Sequence, residues 1–448
     1  MRRLLCGFAV ACSLLFIAAC GKEEGFGEEV IPVGFVRVMN AIPDSPELIL
    51  SVSNGANRAV NFGDSTPYFQ VLPALTLRLN VVYRQGDTVA NLLVDEPLFV
   101  DVSADMTVIL TGSMDNPQVI KIGNPPLSEL VGTGKLEVQI ANAATALANP
   151  ATITLRDQDS LAVTQSTLDA GAISERVRID PGNYSLDMTD SLTGAVLWRS
   201  GNFSVNAGSR GLFAITDYFG PGDTPARIVS VTEQGSITLP GENLPSALRI
   251  ANMRADLGPL SVFANGELFA ENLPFGAISD YLPIAVGLNT FTVEPFGEVG
   301  NTLADPVEIT FGTGDYHTLT ITGVGDTTSQ QAIIDEVRRV PARLQLIATN
   351  AISGTSVFDM YVVESGVSIE NRFPQLTSLA PIPSADSSRT LTLVAGSYDL
   401  YLTQSGTRTV VIGPTRIDLA DNAVYTIYVT DKAGGGEPVE LLFADDFN

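Results

Sequence analysis

Few residue types in this chain could do chemistry, and they are poorly placed for it. Its 448 residues include three cysteines and one histidine. One histidine cannot build a multi-histidine metal site, and neither a His-Glu-x-x-His pair nor a Cys/His zinc spacing occurs. No G-x-S-x-G elbow, phosphate loop or G-x-G-x-x-G opening a helix is present. His317 alternates in register with Leu319 and Ile321, and reads as a half-buried packing residue near a strand end rather than a catalytic base. Loop carboxylates of the kind calcium uses occur at Asp157-Gln158-Asp159, at Asp44 with Glu47, and at Asp421. None forms an ordered loop offering the six to eight oxygens that calcium takes, and aspartate is expected in turns because it bonds the local backbone. Tyr68, Phe69, Tyr281 and Tyr401 could stack on sugars, but in alternating strands such rings fill cores or cross-strand pairs. The expectation is no catalytic, cofactor-binding or metal-binding residue, no cofactor, and no enzyme. The alternative is an exported hydrolase acting on glycans or peptides through a pair of the chain's many carboxylates.

Cys20 is the exception. Met1-Arg2-Arg3 is followed by an apolar run from Leu4 to Phe16, then by Ile17, Ala18 and Ala19: a basic start, a short apolar core and a small-residue exit. The run is shorter than the roughly 20 residues that span a bilayer, which favours cleavage over retention. Ile17-Ala18-Ala19-Cys20 resembles the lipobox of bacterial lipoproteins. That resemblance implies removal of residues 1–19, diacylation of Cys20, and a lipidated tether over 20–34. Each buried CH₂ of an acyl chain contributes about 0.8 kcal/mol, so two or three chains hold a protein at a membrane durably. Cys6 and Cys12 lie in the segment to be removed, so no intramolecular disulfide is expected and the body must be stabilised by hydrophobic cores. Gly21 after the cysteine resembles lipoproteins passed on to the outer membrane. Lys22-Glu23-Glu24 reads as a solvated tether, which leaves both the periplasmic side and the cell surface open.

Composition narrows the partners. A formal net charge of −25 repels nucleic acid and anionic lipid surfaces, and favours solubility in a crowded exterior. With 45% hydrophobic residues the chain has ample core material, and its length suggests about three or four domains. No second apolar run of spanning length follows the first.

The elements that must position any site come in four copies. A strand ending in asparagine recurs about every hundred residues, at Val36 to Ala41, Val138 to Ala143, Leu248 to Met253 and Leu346 to Ala351, with Asn40, Asn142, Asn252 and Asn350 in register. That is the spacing of a domain, not of a solenoid turn. A turn into an alternating strand follows each: Pro73-Ala74 before Leu77 and Leu79, Pro181-Gly182 before Tyr184 and Leu186, Val286-Gly287 before Phe291 and Val293, and Ala395-Gly396 before Tyr398 and Leu400. A strand and hairpin close each copy, beginning near Met106, Gly211, His317 and Tyr425. Only Gln331 to Val340 has a helical look, and it falls where the other copies have a strand. The domains are expected at 35–123, 135–233, 247–338 and 343–445, joined by Gly/Pro/Ser-containing stretches such as Gly123 to Gly134 and Pro240 to Ser246. About seven short strands per copy argue for an all-β chain of four tandem immunoglobulin-like β-sandwich domains, without the Cys…Trp…Cys core of immunoglobulins.

The first copy also resembles a known family. Val36-Arg37-Val38, Asn40-Ala41-Ile42-Pro43-Asp44-Ser45-Pro46, Asn61-Phe62-Gly63 and Tyr68 are similar to the bacterial and archaeal domain-of-unknown-function family four-three-nine-seven. The third copy repeats the pattern with Asp256, Pro274-Phe275-Gly276 and Asp280-Tyr281, whereas copies two and four lack the Pro-Asp element. Asn40 and Asn252 stand where the family has histidine, so no role of that histidine carries over. The resemblance implies a repeated β-sandwich of exported or surface proteins and no activity. The expectation is a membrane-anchored, non-enzymatic module of the cell envelope for binding, adhesion or spacing. Its partners would be the membrane through its lipid, and an envelope polysaccharide or another envelope protein.

Overall fold

Alternation dictates the architecture. In the strand Gly34–Asn40 (β1), Val36 and Val38 face one way and Arg37 and Met39 the other, and nearly every position is buried. A strand buried on both faces belongs between two layers. The computed structural model describes residues 33–53, 55–72, 76–85, 88–125, 132–335, 337–340 and 343–446, and from Val33 onward the chain forms one compact unit. Residues 1–32, with Cys20 and its lipobox, and Pro73-Ala74 lie outside the described residues.

The first copy has seven further strands: β2 (Leu48–Val52), β3 (Arg58–Val60), β4 (Phe69–Val71), β5 (Leu77–Gln85), β6 (Thr88–Leu98), β7 (Asp105–Gly112) and β8 (Pro117–Asn124). One sheet runs β4-β1-β7-β8 and the other β3-β2-β5-β6. β1 and β7 pair in parallel with Val38 opposite Val108, and all other pairings are antiparallel. The same plan recurs three times, with Ile140 opposite Phe213, Ile250 opposite Leu319 and Ala348 opposite Ile427 in the parallel pair. The second copy carries five strands in each sheet and the others four. The chain is thus all-β, with four immunoglobulin-like sandwiches and no helix among the described residues.

Each sandwich encloses its own core. Val38, Leu50, Leu79 and Val108 fill the first, Ile140, Leu186, Trp198 and Phe213 the second, Ile250, Val262, Phe291 and Leu319 the third, and Leu346, Met360, Leu400 and Ile427 the fourth. Leu239 and Leu244, which flank the expected linker at Pro240, belong to the second core. The segment with a helical look is a strand through Ile334, because Thr327–Ile334 finds its backbone partners antiparallel along Tyr316–Val324.

The sandwiches are docked to one another. The outer faces of the β1-containing sheets of copies one and two pack together, with Met39, Ala41, Ile109 and Ile122 against Ala141, Leu212, Ala214 and Val229. Copies three and four meet in the same way through Ala251, Met253, Ala351 and Tyr428. The two pairs also touch. Tyr218 Oη donates to the carbonyl of Gly314 (3.3 Å), and Arg338 Nη1 donates to the carbonyls of Pro43 and Ser45 (3.1 and 2.7 Å). No helix among the described residues is long and apolar enough to cross a membrane.

Candidate binding site at the junction of the copies

The residues singled out for chemistry are mostly committed to structure. Asp157 Oδ1 accepts the amides of Asp159 and Leu161 (3.0 and 2.9 Å), and Asp44 Oδ1 accepts the amide of Met114 (3.0 Å). Asp421 is exposed on a turn. His317 is more deeply buried than its half-buried reading, at 5% exposure, and its ring lies 4.7 Å from that of Phe311. Neither ring nitrogen has a hydrogen-bond partner, and Nε2 stands 3.7 Å from Asp315 Oδ2, beyond hydrogen-bond reach. Phe69 is buried under Arg58, and Tyr401 packs beside Tyr361.

The residues that carry the family resemblance are structural as well. The Arg37 guanidinium lies 4.5 Å over the Tyr68 ring, its Nε donates to Thr107 Oγ1 (2.8 Å), and Nη1 reaches the carbonyls of Val231 and Thr232 in the second copy (3.2 and 2.5 Å). In the third copy Arg249 lies 4.9 Å over Tyr281 and donates to Thr318 (2.7 Å). Burial pushes the Arg37 pKa below its ordinary value and that of Tyr68 above its own, so the pair forms a dry prop rather than an exchangeable site.

A different feature stands out where copies one and four face each other. The connection from the third sandwich to the fourth carries Arg338, Arg339 and Arg343 within a few positions, in a chain with 25 lysines and arginines in all. Arg338 is fixed by the carbonyls it binds, and its guanidinium lies 5.0 Å over Phe62. The backbone of Arg343 is pinned on both sides, its amide bonded to Val340 O (3.0 Å) and its carbonyl accepting the Asn422 amide (2.6 Å). Arg343 is 6% exposed as a residue, and its guanidinium, which makes no hydrogen bond or ion pair among the described residues, keeps its nitrogens in contact with solvent. Burial accordingly pushes its pKa down, with Tyr83 and Tyr398 acting in the opposite direction.

Arg343 lines a cleft of about 700 Å³ together with Arg338 and the exposed Arg84. The exposed Glu47 and Glu364 also line it, and among the described residues neither is bonded to these arginines. A second cavity of about 330 Å³ shares Asn61 and Arg338 and extends between copies one, two and three. Its wall includes Phe62 and Phe219, edge to face at 5.6 Å, and Tyr218, whose hydroxyl burial holds well above its ordinary pKa. Sequence reasoning placed no site at this junction. The available signal was a run of arginines in an acidic chain, but the cleft forms only when the first and last sandwiches meet.

Residues 246–361, covering the third copy and the start of the fourth, match the family described as Domain of unknown function (DUF4397). No curated protein matches the chain. Among solved structures, the Bacillus anthracis TIE protein aligns over 90% of this chain and 68% of its own, with 9% identity and a TM-score of 0.16. The major pilin subunit BcpA of Bacillus cereus aligns over 67% of this chain and 99% of its own, with 10% identity and a TM-score of 0.15. A streptococcal ancillary pilin aligns over 64% and 96%, with 8% identity and a TM-score of 0.13.

Proposed function

We propose that this chain is a non-enzymatic binding module of the bacterial cell envelope, held by acyl chains on Cys20 at the outer membrane. Each sheet pair, near 35–123, 135–233, 247–338 and 343–445, is one domain of it. The observation that carries the binding reading is a contrast in how charge is used. Carboxylates such as Asp157, Asp217, Asp359 and Asp399 are consumed by backbone and hydroxyl donors, whereas the Arg343 guanidinium, in the lining of a cleft, has no protein partner among the described residues. A cleft lined by guanidinium groups that, at Arg343 and Arg84, have no protein partner among the described residues can receive an anionic ligand. Docking of the four sandwiches favours a composed binding surface over a spacer that only extends, because the cleft takes its walls from the first and last copies.

Two measurements test this reading. Mass spectrometry of the protein from its native membrane is expected to find an acylated Cys20 at the amino terminus; an intact Met1, or a free thiol at that terminus, removes the anchor. Pull-downs from the native envelope with the purified chain are expected to retain polysaccharide or an envelope protein, and retention of nothing counts against a binding module.

A further inference from the structure

The cleft between the first and fourth sandwiches specifies a class of ligand. Its lining includes Arg343, a residue only 6% exposed whose guanidinium has no counter-charge among the described residues and is left to the water of the cleft, so an anion entering there gains a partner without breaking a protein contact. Arginine presents paired N–H donors in a planar fork that matches a carboxylate, with Arg338 and Arg84 adding positive charge from the side. Glu47 and Glu364 limit that charge. Among the described residues three guanidinium groups and two carboxylates line the cleft, a balance that favours a single negative charge over a dianion such as phosphate. Asn61 and Gln345 add neutral hydrogen-bonding groups of the kind that satisfy hydroxyls, which suits a sugar better than an apolar acid.

We infer that this cleft binds a carboxylated sugar, with the carboxylate received by Arg343 and its hydroxyl-bearing ring spanning from the first sandwich to the fourth. The inference deepens the binding role proposed above, but it requires no particular anchor. A chain that fails to bind sugar acid yet still retains envelope material would lose this site and keep the broader reading.

The test is calorimetric titration of the full chain, solubilised in detergent, with glucuronate, glucose, N-acetylalanine and inorganic phosphate. Glucuronate is expected to bind, glucose not to, and N-acetylalanine and phosphate to bind more weakly by about tenfold. Arg343→Gln should weaken glucuronate by about tenfold or more without lowering the melting temperature, since the guanidinium it removes satisfies no protein group. Arg84→Gln, at an exposed position where folding is not at stake, should weaken it several-fold. No heat from glucuronate at about 10 mM, equal binding of glucose, or tighter binding of N-acetylalanine or phosphate would overturn the assignment. Unchanged affinity in Arg84→Gln and Arg343→Gln would do the same, and should Arg343→Gln not fold, Arg84→Gln decides alone.

Discussion

The hydroxyl of Thr111 in the first sandwich donates to the carbonyl of Ala143 in the second, at 2.6 Å and out of contact with water. Thr322 makes the same bond to Ala351 between the third and fourth, at 2.5 Å. Both threonines lie near the end of the strand that pairs in parallel with the first strand of its copy, and both alanines follow the landmark asparagine of theirs. The molecule is therefore two copies of a docked pair as much as four copies of a sandwich. Thr111→Val keeps the shape and strands a buried carbonyl, which costs about 1–3 kcal/mol. Thr322→Val should cost a similar amount, and the double variant should lose the sum, because the two bonds share no partner. Denaturant titrations of the three variants check this, and a strongly non-additive double variant would count against two equivalent interfaces.

The fourfold plan was legible because it lies in the backbone bonding of one residue type. Asn40, Asn142, Asn252 and Asn350 each accept, through Oδ1, the amide two residues on. In the last three copies Nδ2 also donates across to the carbonyl of Leu168, Leu273 or Leu379. The Phe-Gly element is legible for a related reason: Gly63 and Gly276 adopt φ of 83° and 79°, and their amides bond the carbonyls of Asn40 and Asn252 (2.8 Å each). What stayed hidden was long-range. Met39 and Val229 read as strand residues of unknown facing, since period-two alternation says that a strand has two faces and not what covers the second. The cleft around Arg343 depends on that docking, so no local pattern could announce it.

His317 offers a test of packing against chemistry. Two buried ring nitrogens without a hydrogen-bond partner, one of them 3.7 Å from Asp315 Oδ2, are an unfavourable use of a polar residue. His317→Leu removes both, keeps an apolar contact with Phe311 and gives up the long approach to the half-exposed Asp315, so stability should stay within about 1 kcal/mol of the parent while the Asp315 carboxyl returns toward its ordinary pKa. Ligand binding by the chain should not change. A large loss in the thermal melt, or loss of binding, would show that the imidazole has a polar role that this packing does not explain.

Acid should act on the second sandwich through Asp187. Burial alone would raise its pKa, but hydrogen bonds from Arg156 (2.6 Å) and Arg199 (2.8 Å) outweigh that and hold it below the usual value. A carboxylate depressed in the folded state contributes stability that is present above its unfolded pKa, about 3.9, and is lost as the pH falls through the lower folded value. Unfolding midpoints followed from pH 7 downward should therefore decline below about pH 4, and Asp187→Asn should flatten that decline while lowering the plateau. An equally steep acid limb in Asp187→Asn would move the cause to another carboxylate.

Trp198 is the only tryptophan, fully buried in the second core, so its fluorescence reports on that sandwich alone. The segment after the last strand of this copy folds back over it. A Cβ on Gly241 would stand 2.5 Å from the indole Nε1 and 2.7 Å from Leu244 Cγ. Neither can retreat easily: the indole is packed against the core, and Leu244 is part of the same cluster. Gly241→Ala should thus push the segment off the core and cost about 1–3 kcal/mol, the usual penalty of overfilling a packed site. The emission of Trp198 should shift to longer wavelength as water gains access, at denaturant concentrations that leave the other sandwiches folded by circular dichroism. If Gly241→Ala leaves both the emission maximum and the unfolding midpoint in place, residues 239–244 are a connection that merely passes the second sandwich and not the lid of its core.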